Sequence, residues 1–320
     1  MSIKLAIIGL GTIGQRILVA AQRHPDVEVV AVFDATPISL EALSLDEAQR
    51  SKISVESSAQ ALMERSDVDV VYIGTPPNSH MQYCHMALDN NKAIWCEKPL
   101  AVNVAESKAF IARLKQTSVK AAVNLSLASS PVVAEIAAQL ESMNKQQITS
   151  IEFQFHYSAW PRRWQSNASN WLCLREQGGF LREVYSHFVF LHQRLIGELE
   201  LIDAKVEYTR EGYAETLVQA NYRSQGIDVR LQGVVGGNGP DTNNWIVYGE
   251  HKSIHFTGFR ALKISEDDCW KDVDIDLAGD LDYTQLAQVV KMLRNEPHSL
   301  ASFEEALQVQ EVVEGLLSKG

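Results

Sequence analysis

The sequence lacks the marks of several common protein classes. No apolar run is long enough to span a bilayer, and Met1-Ser2 leads straight into the apolar Ile3–Ile8 with no charged segment ahead of it, so neither a leader nor an anchor is expected. Cysteine is scarce: Cys84, Cys96, Cys173 and Cys269 form no C-x-x-C pair, which argues against a zinc ribbon or disulfide framework and fits a reducing cytoplasm. Positive charge is short as well. With 29 basic against 40 acidic side chains the formal charge is −11, which repels phosphodiester backbones and anionic headgroups, so neither nucleic acid nor membrane is an expected partner. No internal repeat or low-complexity tract occurs, which sets aside solenoids and arrays. What the chain does have is length and apolarity: 320 residues, 46% hydrophobic, suffice for two cores.

Through residue 123, short apolar runs alternate with amphipathic stretches. Ile3–Ile8, Val27–Phe33, Val68–Ile73, Ala93–Cys96 and Lys120–Val123 read as strands with helical patterns between most of them, the pattern of a doubly wound parallel sheet of Rossmann type. From residue 148 the pattern becomes antiparallel: Ile148–Tyr157, Leu201–Thr209, Ala214–Arg223, Ile227–Val235, Trp245–Gly249 and Ser253–Phe256 read as strands, several joined by short Gly or Asn turns. Helices are predicted over about 179–195, 283–294 and 303–317. The expected architecture is an α/β domain over residues 1–125, followed by an α+β domain with a largely antiparallel open sheet over 126–320, whose C-terminal helix could pack back on the first domain. The junction leads into Ser129-Ser130-Pro131, where proline suits a helix start.

Gly9-Leu10-Gly11-Thr12-Ile13-Gly14 follows the first strand and opens a helix. In that context Gly9 permits a tight turn, Gly11 lets backbone approach a pyrophosphate, Gly14 lets helix and strand pack closely, and the helix N-terminus attracts the anion. The alternative is an ordinary glycine-rich turn. Asp34, at the end of the second strand, can accept hydrogen bonds from adenosine ribose hydroxyls, and it would repel a 2′-phosphate. With no Arg or Lys in Ala35-Thr36-Pro37-Ile38-Ser39, NAD is expected over NADP. An Asx turn or N-cap is the other use of such an Asp, compatible with the first.

Two further segments follow strands: Gly74-Thr75-Pro76-Pro77-Asn78-Ser79-His80 and Cys96-Glu97-Lys98-Pro99-Leu100. Together with Gly9–Gly14 at these spacings, the chain resembles the family of glucose–fructose oxidoreductase, inositol dehydrogenase and MocA-like oxidoreductases, closely over its first 100 residues and loosely over most of the rest. The resemblance implies that Thr75, Pro76, Pro77, Asn78 and His80 line the nicotinamide side of the cofactor with Glu97 and Lys98. It further implies that Lys98 reaches toward the reacting carbon and its hydroxyl, and that the Lys98–Pro99 bond is cis. The family's G-x-x-x-D-x-G-x-H helix falls on Gly179–His187, with Glu183 for Asp and Tyr185 for Gly. An R-F-x-P-like element of many members is replaced by Ala128-Ser129-Ser130-Pro131, so a contact made by that arginine is missing.

Helical spacing puts Glu183 and His187 on an inward stripe with Phe180, Val184, Leu191 and Leu195, and turns Arg182, Ser186 and Gln193 away. A core ion pair would explain them without function. The family match instead implies that His187 is the general acid/base, with Lys98 polarising the alkoxide and Glu183 orienting the imidazole. Lys98 and His187 could share or exchange these roles if the lysine pKa is depressed. The stretch Trp160, Arg162, Arg163, Trp164 and Trp171 reads either as a substrate wall or as a loop pinned by aromatic packing. Cys96 reads as packing, and no metal is expected.

These readings point to a hydride exchange between NAD and a secondary alcohol or ketone of a sugar, polyol or related small molecule, in a cytoplasmic homodimer or homotetramer assembled through the C-terminal sheet. A non-catalytic NAD-binding sensor, and a reductase of unsaturated or imine-like substrates, are the alternatives.

Overall fold

The computed structural model describes residues 2–37, 39–43, 45–143, 147–275 and 281–320. The chain forms two compact units, Met1–Ser129 with Gly279–Leu307, and Ser130–Ala278 with Gln308–Gly320.

The first unit is built on six parallel strands, β1 (Ile3–Ile8), β2 (Val27–Phe33), β3 (Ser54–Val55), β4 (Val70–Ile73), β5 (Ala93–Glu97) and β6 (Ala121–Asn124), in the order β3-β2-β1-β4-β5-β6. β4 is an unbroken apolar run, and every residue of β4 and β5 is buried, as expected of strands covered on both faces. The order reverses between β1 and β4, which opens a crevice at their carboxyl ends, where ligands bind in sheets of this kind. The Leu281–Leu293 helix belongs to this unit. Its Leu286, Val289 and Val290 share a core with Leu5, Ile7, Ile17, Leu18, Tyr72 and Trp95, and Gln285 Nε2 donates to the Leu125 carbonyl at 2.7 Å.

The second unit carries eight strands: β7 (Ile148–Tyr157), β8 (Glu200–Glu207), β9 (Leu217–Ser224), β10 (Ile227–Val235), β11 (Thr242–Gly249), β12 (Ser253–Thr257), β13 (Ala261–Ser265) and β14 (Lys271–Asp272). Their order is β14-β13-β12-β11-β7-β10-β9-β8, antiparallel except where β10 runs parallel to β7. Alternation along β7, β9 and β10 buries one face, where Phe153 meets Tyr185 edge-on at 5.3 Å and Phe155 meets Phe188 at 5.2 Å. Phe180 fits only because β10 has no side chain at Gly233: a Cβ there would lie 2.7 Å from the ring. Among the described residues, no helix is long and apolar enough to cross a membrane, and no three His, Cys, Asp or Glu side chains cluster as a metal site would need.

The helix over 179–195 does not run at a constant 3.6 residues per turn: Leu181–Tyr185 is a widened π turn, followed by an α-helix over Ser186–Leu195. The widened turn shifts the residues it carries, so Arg182 and Ser186 are buried instead of facing water. The Arg182 guanidinium pairs with Glu314 at 2.6 and 2.8 Å and donates to the carbonyls of Arg175 and Gly178, while Ser186 Oγ donates to Arg182 O at 2.7 Å.

Candidate functional site

The glycine turn closes β1 onto the Thr12–Arg23 helix. Gly9 has φ +91°, and a Cβ on it would lie 2.6 Å from the Gly74 carbonyl, so the turns after β1 and β4 approach as only glycine allows. Gly14 is equally constrained, with a Cβ falling 2.0 Å from Gly9 O. Gly11 is different, because a Cβ there meets nothing within 4 Å. Gly11 is also the helix N-cap, no side chain caps that end, and the first turn holds no acid. An uncapped helix start, with Thr12 and Ile13 in its first turn behind open space, is the donor set that a pyrophosphate fits.

Asp34 follows β2. Its Oδ2 accepts from Leu10 N at 2.7 Å and its Oδ1 from Thr36 N at 2.8 Å, so it makes the Asx turn and also anchors the glycine loop. Carboxylate oxygens have further lone pairs, so the role toward ribose hydroxyls stays open to it.

After β4, Ser79 Oγ donates to Thr75 Oγ1 at 2.8 Å, Pro77 is buried, and Pro76 and Asn78 are exposed. His80 is fully buried, its ring nitrogens each 2.8 Å from a carbonyl, Pro99 O for Nδ1 and Thr75 O for Nε2. After β5, the Lys98–Pro99 bond is cis, as the resemblance implies. Glu97 is buried: Oε1 accepts from Tyr72 Oη at 2.6 Å and from Asn124 Nδ2, and Oε2 accepts from Lys98 N at 3.2 Å. Burial raises its pKa against the pull of these partners, and burial next to Glu97 pushes the Tyr72 phenol well up. Cys96 is a buried thiol, raised first by burial. Tyr72 and Asn124 are part of this site although the sequence reading passes over them; each reads locally as an ordinary strand residue.

In the second unit, Gly179 (φ +98°) starts the segment that bears Glu183 and His187, and Glu215 Oε1 accepts from Leu181 N at 2.8 Å. Burial raises the Glu215 carboxyl to about 7. The His187 ring is buried, with Phe259 edge-on at 5.2 Å. Glu183 Oε1 accepts from Gln165 Nε2 at 3.0 Å, and Gln165 Oε1 in turn accepts from Arg162 Nε at 3.0 Å and Arg162 N at 3.2 Å. Gln165 is therefore a supporting residue of this site that the sequence reading missed. Its signal is a Gln three residues after the turn begins, the spacing from which an amide reaches back to an N-cap N–H.

The Arg162 guanidinium stands 4.8 to 5.7 Å from the rings of Trp164, Trp160 and Tyr157. Trp160, preceding a second cis proline bond, packs on Tyr157 and donates to Leu172 O at 3.0 Å, so aromatic packing does pin this loop. Trp164 is exposed, as is Arg163, and Trp171 is half-buried in the short Ser169–Leu172 helix.

Residues 3–125 match the family model described as an oxidoreductase family with an NAD-binding Rossmann fold, GFO_IDH_MocA. Among curated relatives, the chain is 29% identical over 148 residues to Oxidoreductase P35 of Formosa agariphila, covering 46% of each chain. It is 25% identical over 198 residues to inositol 2-dehydrogenase of Rhizobium meliloti, covering 62% of this chain and 56% of that one. These matches span about half the length of those relatives. Among solved structures, KijD10, a 3-ketoreductase from Actinomadura kijaniata in complex with NADP and TDP-benzene, superposes with a TM-score of 0.81 at 19% identity, covering 100% of this chain and 98% of that one. At that identity the likeness is one of fold.

Proposed function

We propose that this protein, whose residues 3–125 match the Gfo/Idh/MocA oxidoreductase family model, is a member of that family and an NAD-dependent oxidoreductase acting on a secondary alcohol or ketone of a sugar, polyol or related small molecule. The observation that carries the reading is the cofactor edge: an uncapped helix start behind Gly11, with Asp34 anchored beside the same loop. In this reading residues 1–125 hold the cofactor, and 126–320 supply the substrate contacts and, through the open face of the eight-stranded sheet, a homodimer or homotetramer interface.

Preference for NAD follows from charge. The Asp34 carboxylate accepts ribose hydroxyls and repels a 2′-phosphate, and Ala35, Thr36 and Pro37 supply no cation to offset that repulsion. A shared fold does not fix the residue at this position, so the NADP held by KijD10 does not set this chain's preference.

NAD, when bound, supplies the hydride chemistry. Removing a hydride from the carbinol carbon leaves a carbonyl once the hydroxyl proton also departs. The His187 imidazole takes that proton, and returns it in the reducing direction. The Lys98 ammonium offsets the negative charge developing on the oxygen, and Glu183, held by Gln165, orients the imidazole and favours its protonated form. Trp160, Arg162, Arg163 and Trp171 are assigned to a substrate wall on a loop that the Trp160–Tyr157 packing and the Trp160–Leu172 hydrogen bond hold in place. NAD-linked absorbance assays across sugars, polyols and their keto forms, with NADH and NADPH titrations alongside, test the proposal. Turnover on a polyol or sugar with tighter NADH binding is expected. Tighter NADPH binding would remove the cofactor assignment, and NADH binding without turnover across the panel would favour a sensor.

A further inference from the structure

Two fully buried histidines of this chain face opposite hydrogen-bonding environments. His192 Nε2 lies 2.9 Å from Ser224 Oγ, which can accept, and the indole Nε1 of Trp245 donates toward its Nδ1 at 3.4 Å. One ring nitrogen donates and the other accepts, as in a neutral imidazole, and burial lowers its pKa to about 3.

His80 has no such arrangement. Both of its nitrogens face carbonyl oxygens at 2.8 Å, and a carbonyl only accepts. In either neutral tautomer one bare lone pair would point at an oxygen lone pair, where no ring surface is exposed for water to intervene. Two N–H donors satisfy both.

We propose that His80 is carried as an imidazolium, a positioning residue whose two N–H groups tie the turn after β4 to the Lys98–Pro99 turn after β5. β4 and β5 are neighbouring parallel strands, so the tie crosses the carboxyl edge of the sheet. Lys98 then sits between two fixed points, its own N–H on Glu97 and the next residue's carbonyl on His80. The consequence for cofactor and lysine rests on the function proposed above; the charge state does not.

The titratable groups around His80 are Cys96 on β5, Cys84 on the helix that His80 begins, and Glu97. Burial opposes a charge on His80, while the Cys96 sulfur and the two carbonyls favour it. Cys96 itself stays a thiol, so the carbonyls are the partners that persist at neutral pH. The tie is intact below the ordinary histidine pKa and is lost as pH rises through His80's own titration.

Ring-15N histidine NMR of the full chain near pH 8, above the ordinary histidine pKa of about 6.5, tests the charge. Two protonated nitrogens are expected at His80, beside one protonated and one bare at His192. A bare nitrogen at His80 under those conditions overturns the proposal, whether or not any variant folds. NADH fluorescence titration from neutral to alkaline pH tests the consequence. Wild-type affinity is expected to fall as His80 loses its proton. His80→Gln, neutral and with a single amide donor group, is expected to bind about tenfold more weakly at neutral pH and to lack that alkaline limb. An unchanged limb in His80→Gln also overturns the proposal. Absence of NADH binding in the wild type would instead count against the cofactor reading, leaving the NMR result to decide the charge.

Discussion

Asp34 has two backbone amides to serve, those of Leu10 and Thr36, so replacing it does more than remove a charge. Asp34→Ser is expected to weaken NADH binding by about tenfold, through lost ribose contacts and a loosened glycine loop, while NADPH binding weakens less or improves. Paired titrations should therefore show the preference narrowing, and an unchanged ratio would remove Asp34 from the selection. At His187 the expectation is kinetic: His187→Ala should lower turnover by roughly 10²–10⁴-fold with NADH affinity nearly unchanged, read by steady-state kinetics with cofactor titration. Undiminished turnover would exclude the imidazole as the base. The residues most readable in the sequence are those whose surroundings are local. Gly9, Gly11, Asp34, Lys98 and His187 announce themselves by motif and spacing. Gln165, Tyr72 and Asn124 do not, because their partners lie 18, 25 and 27 residues away and only the folded chain brings them together.

Elements are legible to the extent that burial alone dictates them. β1, β2, β7 and β10 have the ends their apolar patterns predict, as does the Phe303–Leu317 helix. β3 and β14, two residues each at sheet edges, are too short and exposed to leave a pattern. The π turn is invisible to a 3.6-residue template for a further reason: it is accompanied by the Arg182–Glu314 pair, whose acid lies far along the chain. Removing that acid strands a buried guanidinium, partly served by two carbonyls, so Glu314→Ala should cost on the order of 3 kcal/mol in urea unfolding. A loss below the scatter of surface substitutions would mean that the pair is dispensable. Glu215 loads the same segment in the opposite way. Its carboxyl is raised from 4.5 to about 7, so its favourable contribution is complete below about pH 4.5 and disappears as pH rises through about 7. Glu215→Gln keeps an acceptor for Leu181 N without the buried charge. It should raise stability by about 1–3 kcal/mol near pH 8 and change it little near pH 4.5. Equal effects at both pH values would place the carboxylate outside this balance.

For the molecule as a whole, the sequence declares two kinds of sheet and where one gives way to the other. It does not declare that the helix over Leu281–Leu293 covers the first of them, since an amphipathic stripe fits either sheet and only long-range packing chooses. That choice has a consequence for manufacture in the cell. The first unit's core includes Leu286, Val289, Val290 and Leu300, so the amino-terminal sheet leaves the ribosome well before the side chains that finish its interior. At about 5–20 residues per second the interval is roughly 10–40 s, during which an unfinished apolar surface is open to chaperones and to other nascent chains. A fragment of residues 1–129 should therefore unfold without cooperativity, whereas the same fragment fused through a flexible linker to residues 279–307 should recover a single urea transition reported by Trp95 fluorescence. Equal cooperativity in the two fragments would show that vectorial synthesis imposes no such wait, and that the late segment decorates a sheet already able to stand alone.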